Sequence, residues 1–212
     1  MRSRIVVTLC LGAALALVAH ARGIATDTRL LAQPAVSATH VAFVYAGDLW
    51  SARLDGTEVR RLTTSEGPVS NAAFSPDGRT IAFGAQYNGN TDVYTVRVDG
   101  GPLTRLTWHP GQDLVQAFSP DGKEILFTSP RAVFSARFTQ LFTMPVAGGV
   151  ETPLSIPNAA RATYSPDGRK IAYNPLGPPF LQWKHYRGGQ VSTISIFDVQ
   201  SHATENLSLI HI

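Results

Sequence analysis

The sequence has a single cysteine, Cys10, among its 212 residues. No disulfide can form within the chain, and zinc sites built from several cysteines are excluded. A strong excess of one charge is also missing, because 18 Lys and Arg stand against 15 Asp and Glu, a formal net charge of +3. A nucleic-acid-binding domain is expected to carry a basic stripe, so this balance predicts no nucleic-acid partner.

Long apolar runs are missing except at the N-terminus, where residues 5–19 are almost entirely apolar. This run is short for a bilayer crossing. Arg2 and Arg4 precede it and residues 19–21 read Ala-His-Ala, a pattern typical of a cleaved export signal. We therefore predict a signal peptide over residues 1–21, an exported protein that is periplasmic or extracellular, and no membrane span after cleavage. A retained anchor is the alternative.

The rest of the chain has the composition of a globular, turn-rich protein. Apolar residues make up 44% and charged residues 16%, which excludes a disordered chain and a bundle of membrane spans. The 18 Gly and 14 Pro indicate many turns between short elements. A β-dominated body is the class that fits these values.

The motif Ser-Pro-Asp-Gly occurs three times, at residues 75–78, 119–122 and 165–168. The copies are 44 and 46 residues apart, and each lies between an aromatic residue and a short apolar run. A degenerate earlier unit keeps the apolar run, at residues 40–43, without the turn motif. Repeats of 40–50 residues with several strands each are typical of β-propeller blades.

Within each repeat the apolar residues alternate with a period of two, as in half-buried strands, and predict one four-stranded blade. The predicted fold class is all-β: a β-propeller built of four-stranded blades, with four blades present as an incomplete open arc. Phe83, Phe127 and Tyr173 are expected in equivalent interior positions. After a lead-in linker over residues 22–34, the partial propeller spans residues 35–206, with blades at about residues 35–70, 71–113, 114–159 and 160–206.

The Ser-Pro-Asp-Gly motif has the residues that a tight turn requires. Pro fixes φ at the first central position, Asp hydrogen-bonds locally at the next, and Gly accepts a positive φ. Calcium binding by Asp77, Asp121 and Asp167 is the functional alternative. One isolated Asp per blade lacks the clustered oxygens that calcium needs, so we interpret the motif as structural.

Four further stretches carry a resemblance to a known family: residues 44–50, 86–94, 106–111 and 183–189. Together they resemble the N-terminal propeller of tricorn-type serine proteases, over about residues 36–206. The resemblance implies a six-bladed ring, followed in the whole protein by a second propeller, a PDZ domain and a C-terminal catalytic domain. The family's catalytic residues lie in that last region, so no catalytic residue is assigned here.

The family's prototype is credited with an arginine pair that holds the substrate's C-terminal carboxylate. The corresponding loop in this chain, residues 111–114, has no arginine. The last six residues, 207–212, match the translation of a sequencing adapter, and we interpret them as a non-native tail on a truncated reading frame. The apparent glycosylation sequon at Asn206 would then be an artefact.

The sequence contains few motifs typical of other chemistry. His40, His109, His185 and His202 lie outside the predicted signal and tail, and none belongs to a His-Glu-x-x-His motif. A zinc site assembled across blades stays open, but the sequence predicts no metal site and no cofactor. Gly-x-Ser-x-Gly elbows and phosphate-binding glycine loops do not occur.

The segment with most functional character is residues 175–189, a long insertion rich in aromatic and cationic side chains. Such a loop can cover an axial opening, where cations attract peptide carboxylates and aromatic rings contact side chains. The candidate substrate-path residues are Lys184, His185, Tyr186 and Arg187, with Arg131 and Arg137 beside a similar insertion in the third blade. The alternative is that the aromatic rings pack against a neighbouring blade while the charges face water.

Two functional hypotheses remain. In the first, the chain is the non-catalytic propeller fragment of an exported tricorn-like serine peptidase, and it gates or scaffolds peptide passage. Its partners would be peptides or unfolded polypeptide, and the complete protein would be a homo-oligomer. In the second, the chain is a stand-alone periplasmic propeller, comparable to TolB, that binds partner proteins. The fragment itself is predicted to be inactive, and to be aggregation-prone when isolated, because its terminal blades lack a neighbour.

Overall fold

The computed structural model describes residues 31–64, 67–133, 138–177 and 192–207. In these ranges the chain forms four four-stranded antiparallel sheets, each with its strands side by side in chain order. The first sheet contains β1 (Leu31–Val36), β2 (His40–Tyr45), β3 (Asp48–Arg53) and β4 (Arg60–Arg61). The second contains β5 (Val69–Phe74), β6 (Thr80–Ala85), β7 (Asp92–Arg97) and β8 (Thr104–Arg105). The third contains β9 (Leu114–Phe118), β10 (Glu124–Ser129), β11 (Gln140–Pro145) and β12 (Thr152–Pro153), and the fourth contains β13 (Arg161–Tyr164), β14 (Lys170–Asn174), β15 (Ser195–Asp198) and β16 (Thr204–Asn206).

The Ser-Pro-Asp-Gly motifs form the turns between the first and second strands of three sheets. In the second sheet the Ser75 hydroxyl donates to Asp77 Oδ1 at 2.6 Å, and the same oxygen accepts the Arg79 amide at 3.0 Å. Gly78 closes the turn at φ 69°, a value that a residue with a Cβ adopts only with strain. Asp121 and Asp167 make the same two contacts in their own sheets. The turn predicted for the motif is therefore confirmed.

The repeat places the same position of each second strand in the core. Phe83, Phe127 and Tyr173 lie opposite corresponding residues of the third strand, and their exposed fractions are 0%, 0% and 6%. One apolar cluster fills each junction between successive sheets. Each buried Val, Leu or Phe contributes roughly 1.5–3 kcal/mol, so these junctions hold the sheets together.

The first strands of successive sheets lie against one another: β1 contacts β5, β5 contacts β9, and β9 contacts β13. Two glutamine side chains link them, because Gln33 Oε1 accepts the Asn71 amide at 2.7 Å and Gln116 Oε1 accepts the Ala162 amide at 3.2 Å. Four blades that share an inner row of first strands are an incomplete β-propeller. The predicted fold class is confirmed.

Two sheets begin a few residues before the approximate blade boundaries that the sequence predicts. The first sheet begins at Leu31, inside the segment assigned to the lead-in linker, and the second begins at Val69, before the predicted residue 71. Both strands contain a β-bulge, at Gln33 (φ 51°) and Asn71 (φ 53°). A bulge shifts the alternation of side chains by one residue, so the period-two pattern hides the start of each strand.

The fourth blade exposes positions that the other blades bury. One such position lies in the third strand, directly before the residue that pairs with the core aromatic residue of the second strand. In the first three blades it is occupied by Leu49, Val93 and Leu141, and all three are fully buried. The corresponding residue of the fourth blade, Ile194, is 39% exposed. Among the described residues, no helix has the length and apolar content needed to cross a bilayer.

Candidate binding face between the second and third blades

In each blade two kinds of connection leave the same end of the sheet. One joins the second strand to the third, and the other, in the first three blades, joins the fourth strand to the next blade. We call this end the loop face, and the opposite end, which carries the Ser-Pro-Asp-Gly turns, the turn face. Connections rather than strands usually carry binding residues, so the loop face is the candidate functional surface.

The first two blades carry an identical polar unit at the loop face. The first residue of the third strand is a buried aspartate that pairs with an arginine of the fourth strand. In the first blade Asp48 pairs with Arg61 at 2.5 Å, and in the second Asp92 pairs with Arg105 at 2.7 Å. A threonine two residues after that arginine donates to the aspartate and accepts an amide of the third strand. The unit locks the outer strand of each blade to its neighbour.

The third blade lacks this unit, because Gln140 and Pro153 replace the aspartate and the arginine. Arg131, from the connection between β10 and β11, supplies a guanidinium instead. Its carbon Cζ lies 5.4 Å from the ring centre of Phe127 and 5.1 Å from that of Phe142. The aromatic pair that faces the second blade is therefore covered by a cation, as a cation–π contact.

Arg131 is nearly buried, with 14% of its side chain exposed, and it has two carboxylate partners. Its Nη2 lies 2.5 Å from Asp113 Oδ2, and its Nη1 lies 2.8 Å from Glu151 Oε1. Burial lowers the pKa of Arg131, but the hydrogen bonds to Glu151 and Asp113 outweigh it and the net pKa is raised. For Glu151 the signs are opposite: burial raises its pKa, but the hydrogen bond from Arg131 outweighs burial and the net pKa is lowered. The cation is thus held by charges of its own chain.

Two fully buried carboxylates meet at this junction. Burial raises the pKa of Asp92, and the charge of Arg105 offsets only part of that rise. The neighbouring carboxylate of Asp113 raises it further. Asp113 Oδ1 has no hydrogen-bond donor in the described part of the chain. The junction therefore holds three carboxylates against two guanidiniums: Asp92, Asp113 and Glu151 against Arg105 and Arg131.

The other predicted substrate-path residues lie outside the described ranges. These are Arg137, Lys184, His185, Tyr186 and Arg187. Arg131 is the one predicted site residue that the structure places, and it lies in the ion cluster between the second and third blades. In the described ranges, no group of three or more His, Cys, Asp or Glu has an arrangement that could hold a metal ion.

Sequence reasoning missed the polar unit and the buried Asp113. A signal for the unit was available, because Asp48 and Asp92 each precede an Arg-Leu-Thr triplet by 13 residues. Two copies at one spacing mark a repeated contact rather than a single site. No comparable pattern marks Asp113, whose partner Arg131 comes from an irregular connection.

The family-model comparison gives a match over residues 28–209, to the "Tricorn protease N-terminal beta propeller domain". The chain belongs to this family. The tricorn protease homolog 1 of Streptomyces coelicolor is 31% identical over 156 residues, which are 74% of this chain and 14% of that protein. The chain therefore spans about one seventh of the curated relative that it matches.

Solved structures extend the comparison. The tricorn protease matches with a TM-score of 0.72 and 26% identity, over 85% of this chain and 18% of that one. A TolB protein from Agrobacterium tumefaciens has a TM-score of 0.68 and 23% identity, over 85% of this chain and 62% of that one. TolB from Acinetobacter baumannii has a TM-score of 0.65 and 24% identity, over 84% of this chain and 43% of that one. Both TolB matches establish the shared propeller fold.

Proposed function

We propose that this tricorn-type propeller is the non-catalytic N-terminal part of an exported serine peptidase, where it gates or scaffolds the passage of peptides. The observation that carries the proposal is the family match over residues 28–209, together with a curated tricorn protease homolog of which the chain spans 14%. A region of this size in a long relative fits one module of a larger enzyme. The catalytic groups would belong to the remainder of that protein.

The geometry supports a rigid wall rather than a reacting centre. Apolar clusters fill the three blade junctions, and the charged side chains at the second junction are paired with one another. Paired, buried charges hold a surface in one shape and leave little free charge for chemistry. Selection of peptides would fall to the connections on the loop face. We propose Lys184, His185, Tyr186, Arg187 and Arg137 as side chains along that path, with Arg131 at the base of the third-blade connection.

The size of the native protein tests the modular proposal first. An antibody raised against this chain should detect, in the source organism, a polypeptide several times larger than the 22.8 kDa of this sequence. The larger species should react with a serine-directed fluorophosphonate probe and fractionate with exported proteins. A native species of about the size of a single propeller, without probe labelling, would contradict the proposal.

Gating is tested in the complete enzyme. Removing the propeller should leave cleavage of a short chromogenic peptide unchanged and should increase cleavage of a long unfolded protein. Replacing Lys184 and Arg187 by Gln should reduce the preference for peptides with a free C-terminal carboxylate over their amidated forms. The matched control is Lys123→Gln, a highly exposed lysine on the turn face. An unchanged preference would refute the assigned role of the two cations.

A second candidate function is a stand-alone propeller that binds partner proteins. The similarity to the TolB structures favours it, since the chain spans 62% of one of them. This function requires a native protein without a peptidase domain. The antibody experiment therefore separates the two candidates.

A further inference from the structure

The connection from β8 to β9, residues 106–113, is fixed along its length. The Leu106 amide donates to the Val93 carbonyl at 2.8 Å, and the Asp113 amide donates to the Thr91 carbonyl at 2.8 Å. Midway, the Asn90 side chain donates to the His109 carbonyl at 2.5 Å. A loop held at both ends and in the middle presents its side chains in one arrangement, which lowers the entropic cost of binding.

This rigid loop exposes a tryptophan. The Trp108 side chain is 64% exposed, although tryptophan is normally among the more buried residue types. The corresponding residues of the first and third blades, which follow the same Leu-Thr or Leu-Ser pair, are Thr64 and Ile156. Thr64 is polar, and Ile156 is fully buried. Among the first three blades, whose residues at this position the structure describes, the second alone has a large exposed aromatic ring. Exposed tryptophans frequently anchor binding surfaces.

One face of the Trp108 ring already carries a cation. Arg105 Cζ lies 5.7 Å from the ring centre. The charge of Arg105 is balanced by Asp92 at 2.7 Å, and its Nε donates to the Thr107 carbonyl at 2.8 Å. A balanced guanidinium holds the ring in place without repelling a second cation strongly. The opposite face of the indole remains a π surface of the kind that attracts ammonium and guanidinium groups.

The surrounding charges favour the same kind of ligand. The junction between the second and third blades contains three carboxylates and two guanidiniums, so its formal charge is −1 with His109 counted as neutral. An approaching cation meets a net attraction here, and an approaching carboxylate meets a net repulsion.

We propose that Trp108 is a docking point for a basic side chain, a lysine or an arginine, on an extended peptide segment. The cation stacks on the indole face opposite Arg105, and the negative junction strengthens its approach. This interaction requires neither peptide passage nor proteolysis, so it goes beyond the proposed function. It can be measured on the present chain.

The test titrates the full 212-residue chain with three blocked peptides that differ at two positions, carrying lysine, norleucine or glutamate. Norleucine keeps most of the aliphatic side chain and lacks the charge. Binding is followed by calorimetry and by the indole Nε1–H resonance of Trp108. We expect the norleucine peptide to bind about two- to fivefold more weakly than the lysine peptide, which is the usual range of an exposed cation–π contact. The glutamate peptide should be weaker again, and added salt should reduce the differences.

Substitutions at Trp108 test whether its ring causes the preference for the lysine peptide. Trp108→Thr introduces the residue of the first blade and should abolish the preference for lysine, whereas Trp108→Phe should retain part of it. The matched control Val150→Thr changes an 82% exposed residue in the turn between β11 and β12 and should bind as the wild type does. Equal affinity for the lysine and norleucine peptides would overturn the proposal, as would an unchanged preference in Trp108→Thr. Association with phosphatidylcholine vesicles but not with any peptide would assign the ring to a membrane surface instead.

Discussion

Arg131 donates a hydrogen bond to the fully buried carboxylate of Asp113, at 2.5 Å, and so fastens the start of the β10–β11 connection to the start of the third blade. In the first two blades the corresponding pairing joins the third and fourth strands, as Asp92 and Arg105 do. In the third blade the guanidinium comes from a loop, and it lies over the rings of Phe127 and Phe142. The anchoring of that loop and the stability of the blade junction are therefore coupled.

Removing Arg131 should destabilise the protein strongly. Arg131→Met keeps much of the side-chain volume but leaves Asp113 buried without its cation, which costs about 3–5 kcal/mol in comparable cases. Urea unfolding followed by tryptophan fluorescence measures the loss.

The double variant Asp113→Val, Arg131→Met is the control. Val69 takes the place of Asp113 in the second blade, where its amide makes the same contact to the preceding blade and its side chain is buried. Replacing both partners by apolar residues should restore stability to within about 1–2 kcal/mol of the wild type. A double variant as unstable as Arg131→Met would show that the ion pair is not the cause.

The blades could be predicted because their determinants are local. Ser-Pro-Asp-Gly fixes a turn through contacts within five residues, and the alternation around Phe83, Phe127 and Tyr173 follows directly from strand geometry. The starts of β1 and β5 could not be predicted in the same way. A bulge is set by the fit between neighbouring first strands, as the contact of Gln33 with Asn71 shows.

The candidate site was predictable only in part, because its contacts join segments that are distant in the sequence. Arg131 stands out in the sequence as a cation beside an insertion, but its partners Asp113 and Glu151 lie 18 and 20 residues away on other segments. No period or spacing connects them, since the third blade departs from the unit that the first two share. The sequence therefore indicated a charged loop, and only the packing of the blades reveals that its cation is already paired.

The pH dependence of stability should carry the signature of Asp92. A carboxyl whose pKa is raised by folding stabilises the folded state below its unfolded pKa, and this contribution is lost as the pH rises through the folded value. The free energy of unfolding of the wild type, measured relative to Asp92→Asn, should therefore increase as the pH falls from 7 towards about 4. Parallel pH profiles for the two proteins would contradict the assignment.

Asp121 provides a comparison of opposite sign. The Ser119 hydroxyl and the Lys123 amide hold the pKa of this exposed carboxyl below its ordinary value. Its contribution to stability is present above the unfolded pKa and is lost as the pH falls through the folded one. Relative to Asp121→Asn, the wild type should therefore lose stability below about pH 4, in the direction opposite to the Asp92 comparison.

Gly111 should tolerate no side chain. A Cβ at this position would lie 2.8 Å from Cγ of Pro130 and 3.0 Å from Nδ1 of His109, and the proline ring cannot swing aside. Gly111→Ala should cost roughly 1–3 kcal/mol and speed amide exchange in residues 106–113. Gly177→Ala is the control, because its nearest contact would be 3.8 Å and the substitution should be close to neutral. Equal stability of the two variants would show that the loop yields easily.

The fourth blade should govern self-association of the isolated chain. Ile194 is 39% exposed where Leu49, Val93 and Leu141 are fully buried under the next blade, so this face offers an apolar surface suited to another sheet. Ile194→Glu should lower aggregation, measured by light scattering, while the unfolding midpoint changes little.

Val93→Glu makes the same change at the equivalent buried position of the second blade. It should prevent folding, because the carboxylate would be placed without a partner among Leu106, Val115 and Phe142. Comparing the two variants separates the effect of exposure at Ile194 from the effect of the added charge.

If Ile194→Glu aggregates as the wild type does, the attraction between copies must arise elsewhere, and the first blade is the next candidate. There Phe43 and Trp50 are only partly buried, whereas Phe83 and Tyr94 occupy the same positions in the core of the second blade.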